Sequence, residues 1–158
     1  MALIERKMKR ILYIIAAALM VISCGDKKNG GNTTELTLEQ KLYGEWHSTK
    51  LAIDADIYIS FMENGKFEMY QQIGEGRHRH YSGEWELDGT TLSGIYSSGD
   101  DWGSGYQVSF SGDNTMSLKA LNGSEEVMKY YRDAIPSEVI EGSIEMKSAV
   151  DADCGPVL

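Results

Sequence analysis

Arg77-His78-Arg79-His80 sets two histidines two residues apart, and His47 is the third imidazole of the chain. On a β-strand, side chains at i and i+2 share a face, so His78 and His80 are the pair best placed to hold a metal ion together. Two imidazoles without a third fixed ligand make a weak site, and a solvated strand face that offsets Glu84 and Glu86 is the simpler reading. No metal and no other cofactor is expected. Asp100 and Asp101, in the irregular stretch Ser97 to Gly105, offer oxygen donors for calcium, but their spacing does not match an EF-hand. Trp102 beside them is an aromatic that could stack on a ligand or a partner, or a half-buried ring in a flexible linker. Glu125-Glu126 adjoins a turn and has no neighbours that would perturb a carboxyl. There is no nucleophile elbow, phosphate-binding glycine loop or zinc-protease helix, so an enzyme is not expected.

The two thiols are Cys24 and Cys154. Arg6, Lys7, Lys9 and Arg10 precede an apolar run from Ile11 to Ile22, too short to span a bilayer, which ends in Ser23-Cys24-Gly25. This N-terminus resembles a bacterial lipoprotein signal peptide with a lipobox. The resemblance implies that residues 1–23 are removed and that Cys24 is acylated as a membrane anchor. An uncleaved anchor, or a secretory peptide with an incidental cysteine, would equally keep residues 1–23 out of the fold. Gly25 stands where inner-membrane lipoproteins often carry Asp, which favours an outer-membrane address facing either the periplasm or the surface. With Cys24 acylated, Cys154 has no intramolecular partner and no disulfide framework exists.

Residues 24–40 read as a flexible tether rich in Lys, Asn, Gly and Thr, residues 41–135 as one domain, and residues 136–158 as an extension with a disordered, frayed end. Within that extension, Val139-Ile140 and Ile144-Met146 fit either a strand or a short helix. The whole chain carries a formal charge of −9; without residues 1–23 it has 11 basic against 23 acidic side chains. Such a charge argues against nucleic acid and anionic membrane surfaces as partners.

From Leu42 to Tyr131 the chain is rich in β-branched and aromatic residues, with a turn signal about every 8–12 residues. The faces decide the register. A two-residue turn at Asn64-Gly65 would set Phe61 against Glu68, whereas a three-residue loop ending in a bulged Gly65 sets Phe61 against Phe67 and Ile59 against Met69. In the next hairpin Tyr81, Gly83, Trp85 and Leu87 share a face, with His78, His80, Glu84 and Glu86 on the other. A four-residue loop through Asp88 and Gly89 then puts Leu87 opposite Leu92 and Trp85 opposite Gly94, whose missing side chain leaves room for the indole. Tyr106, Val108 and Phe110 turn at Gly112-Asp113-Asn114 into Met116, Leu118 and Ala120, and a last strand runs from about Glu126 to Arg132. The expected fold is all-β: a small antiparallel up-and-down β-barrel of seven to eight strands, closed because closure removes the edges.

Gly44-Glu45-Trp46 and Gly83-Glu84-Trp85 form an echo 39 residues apart. Together with the Phe61 to Phe67 hairpin and the Leu87-Asp88-Gly89-Thr90-Thr91-Leu92 turn, it resembles the small bacterial lipocalin-like lipoprotein families over about residues 42–132. The resemblance implies barrel closure by Gly44, Trp46 and Arg132, with Trp46 at the floor and Arg132 packed over its ring. It also implies an apolar interior in which Tyr81, Trp85, Tyr96, Trp102 and Tyr106 are candidate ligand contacts, although the strands are shorter than those of full lipocalins.

Two functions follow as expectations. One is a lipid-anchored cell-envelope binding protein that takes a small hydrophobic ligand in its barrel. The other is a non-enzymatic interaction module, an inhibitor or envelope assembly factor with a solid core, presenting its acidic surface and an exposed Trp102 to another envelope protein.

Overall fold

The computed structural model describes residues 35–48, 54–147 and 155–158. The expected signal peptide, Cys24, most of the expected tether and Cys154 lie outside the described residues. Glu35–Leu158 forms one compact unit with its own closed sheet and core. It begins earlier than the sequence reading places the domain. Thr37 caps a short helix α1 (Leu38–Leu42) by accepting from the Gln40 backbone N–H, and the Gln40 side chain reaches back to the Thr37 N–H. This reciprocal pair satisfies two donors that a helix start otherwise leaves open.

Eight strands follow: β1 (Gly44–Ser48), β2 (Ala55–Phe61), β3 (Lys66–Ile73), β4 (Arg79–Asp88), β5 (Thr91–Tyr96), β6 (Tyr106–Ser111), β7 (Thr115–Ala120) and β8 (Val127–Arg132). Each pairs antiparallel with the next, and β1 pairs with β8, so the sheet closes as an up-and-down barrel. The expected registers are present: Phe61 opposite Phe67, Ile59 opposite Met69, Leu87 opposite Leu92, and Trp85 opposite Gly94. Gly65, at φ +75, occupies the bulge position of its turn. The β4–β5 loop is tighter than expected, since Asp88 still pairs with Thr91 and only Gly89 and Thr90 remain outside the ladder.

Past β8 both readings of the extension hold. Ser137–Gly142 is a helix, α2, and Ile144–Glu145 a short strand, β9, lying parallel to the start of β4. There β5 has not yet reached β4, so β9 covers an edge that would otherwise be open. α2 packs Val139 with Ile135 against Tyr58 and Tyr70 on the outer wall.

The floor of the barrel is built at the start of β1. The Trp46 ring is fully buried and donates its indole N–H to the Leu42 carbonyl at the end of α1, 2.8 Å away. The Arg132 guanidinium lies 4.2 Å from the centre of that ring and donates to the carbonyls of Lys41, Tyr43 and Asp113. Gly44 is required twice: its φ is +113, and a Cβ there would stand 2.6 Å from Arg132 Nη1.

Arg132→Ala is expected to cost about 1–2 kcal/mol, the size of a cation–π contact with its carbonyl bonds. Gly44→Ala should also destabilise, with the double variant losing less than the sum, because removing the guanidinium removes the clash. Calorimetric melting of the two singles and the double checks this; fully additive losses would leave Gly44 needed for its backbone angle alone.

Candidate functional site

Alternation sends Ile57, Ile59, Phe61, Phe67, Met69, Tyr81, Met116 and Leu118 into the lumen, where each is almost wholly buried. The strand ends separate two regions. Toward the floor, Trp85 packs edge-on to Phe61 and Tyr43 and donates its indole N–H to the Lys66 carbonyl, which makes it part of the wall. Toward the other end, Tyr81 packs against Tyr96, and Trp102 against Tyr106. The candidate ligand contacts therefore divide, with Trp85 on the floor side and the other four nearer the mouth.

Trp102 is neither exposed nor half-buried, correcting both sequence readings. Its ring is 6% exposed and packs against Phe67 and Tyr106, 5.1 and 6.1 Å between centroids. It fills the space above Gly94, where a Cβ would come within 2.4 Å of the indole. Gly94 thus makes room for an indole as expected, but for that of Trp102 rather than Trp85. β5 and β6 explain the insertion: they pair over only two positions, Thr91 with Gln107 and Leu92 with Tyr106, before the 97–105 loop separates them. The Trp102 indole N–H has no hydrogen-bond partner among the described residues.

The mouth is closed by the chain's own last described segment, Gly155–Leu158. The sequence reading gave this end as frayed; instead Leu158 is 2% exposed and Val157 packs on the same core. Gln71, inward on β3 and 1% exposed, donates from Nε2 to the Gly155 carbonyl at 3.0 Å and accepts from the Val157 N–H at 2.8 Å. The Tyr106 hydroxyl donates to the Val157 carbonyl at 3.0 Å, and the Tyr96 hydroxyl to the Leu158 carbonyl oxygen at 2.6 Å. An apolar end with paired backbone groups is more stable inside the lumen than in water, which composition alone does not reveal.

No protein-family model matches the chain. No curated protein matches it. Among solved structures it is similar to the NMR structure of a protein from Bacteroides uniformis ATCC 8492, at 14% sequence identity and a TM-score of 0.47, over 60% of this chain and 90% of that one.

The histidines lie outside the lumen and are not the solvated face that the sequence suggested. His47 and His78 each donate Nε2–H to the same carboxylate, Asp56, at 2.6 and 3.1 Å. His47 stacks on its cross-strand neighbour Tyr58, and His80 stacks on Tyr70 in the same way. Since Tyr58 also pairs with Tyr70, His47, Tyr58, Tyr70 and His80 form one row across four strands, partly covered by α2. Among the described residues no group of three or more His, Cys, Asp or Glu side chains is arranged to hold a metal ion. Asp100 lies in the loop that carries Trp102, accepting from the Ser98 hydroxyl.

Burial shifts the lumen tyrosines. It pushes the Tyr106 hydroxyl up to about 12, with Glu126 adding to the effect, and raises Tyr96 further, with Tyr106, Tyr81 and Tyr130 adding. On the outer wall burial, then Glu68, holds Tyr70 up at about 12. A folded state that retains these protons is at full strength below pH 10, and its advantage is lost as the pH rises from 10 toward 12. Phenolate absorbance of the buried set should therefore appear together with loss of the far-ultraviolet β signal. Ionisation of all tyrosines near pH 10 with the barrel intact would contradict the burial of these hydroxyls.

Proposed function

We propose that the chain is a lipid-anchored cell-envelope lipoprotein of the lipocalin-like kind, a binding protein rather than an enzyme, that takes a small hydrophobic ligand in the mouth of its barrel. The anchor rests on the basic and apolar N-terminus ending at Cys24, and an outer-membrane location on Gly25. The binding reading is carried by one observation: residues 155–158, not the barrel's own strands, occupy the space between Gln71, Tyr96 and Tyr106. Withdrawing it would leave an apolar chamber with a carboxamide and tyrosine hydroxyls to orient a guest, the usual composition of a small-molecule site.

The filled interior also supports the second reading, an interaction module with a solid core. That reading has lost Trp102 as its exposed contact and keeps only the acidic surface.

Leu158→Asp puts a charge where an isolated ion is strongly disfavoured and should expel the segment. Native mass spectrometry of residues 35–158 with dodecanoate is then expected to show one bound molecule on Leu158→Asp and far less on the unaltered unit. A folded variant that takes up no dodecanoate, with the segment expelled, would favour the solid-core module.

A further inference from the structure

Building on a lumen that binds guests, we propose that its mouth is a peptide site, whose ligand is an extended apolar peptide and whose cis occupant is Gly155-Pro156-Val157-Leu158. The bonds made there are of a kind that reads polypeptide backbone. One side chain, Gln71, offers its carbonyl and its amide together and uses both on the same strand of chain, at the Gly155 carbonyl and the Val157 N–H. A side-chain amide used in this way stands in for the peptide unit of a neighbouring β-strand. Tyr106 and Tyr96 continue the pattern on the carbonyl oxygens of Val157 and Leu158. The four bonds fall on the backbones of Gly155, Val157 and Leu158, and Pro156 between them has no N–H to leave unpaired.

Selectivity divides between backbone and side chains. Gln71 would be costly at 1% exposure in an otherwise apolar lumen if its amide faced a hydrocarbon guest, since both its polar ends would lose their partners. A peptide satisfies both. The Leu158 and Val157 side chains meet the apolar cluster, so the site favours two successive aliphatic residues after a proline. Any polypeptide that presents such a segment in trans would compete with residues 155–158 for the same four bonds.

The test titrates acetyl-Gly-Pro-Val-Leu amide, which presents the carbonyls seen in the structure, into Leu158→Asp of residues 35–158 by calorimetry. One peptide per barrel is expected. Methylating the Val nitrogen removes the N–H that Gln71 accepts and should weaken binding about tenfold, and Tyr96→Phe in the same background should weaken it about fivefold, as for single buried hydrogen bonds. If Leu158→Asp does not fold, Leu158→Ala carries the same titrations without adding a charge. Peptide that fails to bind where dodecanoate binds would overturn the peptide assignment and leave the lumen reading standing. Failure of both guests on a folded barrel would overturn both. Equal binding of methylated and unmethylated peptide would also overturn the proposal, by showing capture of apolar surface without backbone recognition.

Discussion

The seam between β1 and β8 is two residue pairs long, Trp46 with Arg132 and His47 with Tyr131, and the closed barrel depends on it. Two ladder positions are a thin fastening for a sheet whose other edges have all been removed by closure. Arg132 strengthens the seam by acting where β1, β8 and α1 meet. Its guanidinium covers the Trp46 ring and caps three carbonyls, while Trp46 reaches through the floor to the end of α1. Gly44 follows as a consequence, since a Cβ there would stand 2.6 Å from the guanidinium Nη1. The floor is therefore one unit in which sequence, backbone angle and packing all require the same residues.

The opposite end has a different problem. β5 and β6 part after two pairs, which leaves a gap in the wall facing an interior that must be filled to native density. Trp102 comes in from the 97–105 loop over Gly94 and closes part of the gap. Tyr96 and Tyr106, on the two strands that part, then project hydroxyls into a region where water is scarce, and residues 155–158 give those hydroxyls acceptors. The raised ionisation of both tyrosines has the same cause as the docking of the segment: desolvation at the mouth.

Much of the wall was legible because a two-residue period admits only one register when one face is apolar; Phe61 against Phe67, and Leu87 against Leu92, follow from that rule. The Trp46 and Arg132 geometry was accessible only through resemblance, since nothing in composition ties residues 86 positions apart. α1 carried a signal that went unread, Thr37 with Gln40 three residues on. Trp102 and the final segment were not legible for a physical reason. Their positions are set by space left over between strands, and a tail of Gly, Pro, Val and Leu has the same composition whether it lies in water or in a lumen. Gln71, inward-facing on an otherwise apolar β3 face, was the local anomaly that could have prompted a search for a backbone partner.

The energetics of residues 155–158 suit an occupant that can leave. Four hydrogen bonds at about 1 kcal/mol each and burial of a Leu and part of a Val worth about 3 kcal/mol favour docking by about 7 kcal/mol. Ordering four residues costs about 6 kcal/mol. A balance this close holds the segment in place because it is tethered, at an effective concentration on the order of millimolar. A rigid plug would need a larger surplus, such as a charge pair or a second aromatic layer on the segment. This segment has neither, and the groups that hold it belong to the barrel, where they would remain after it withdrew.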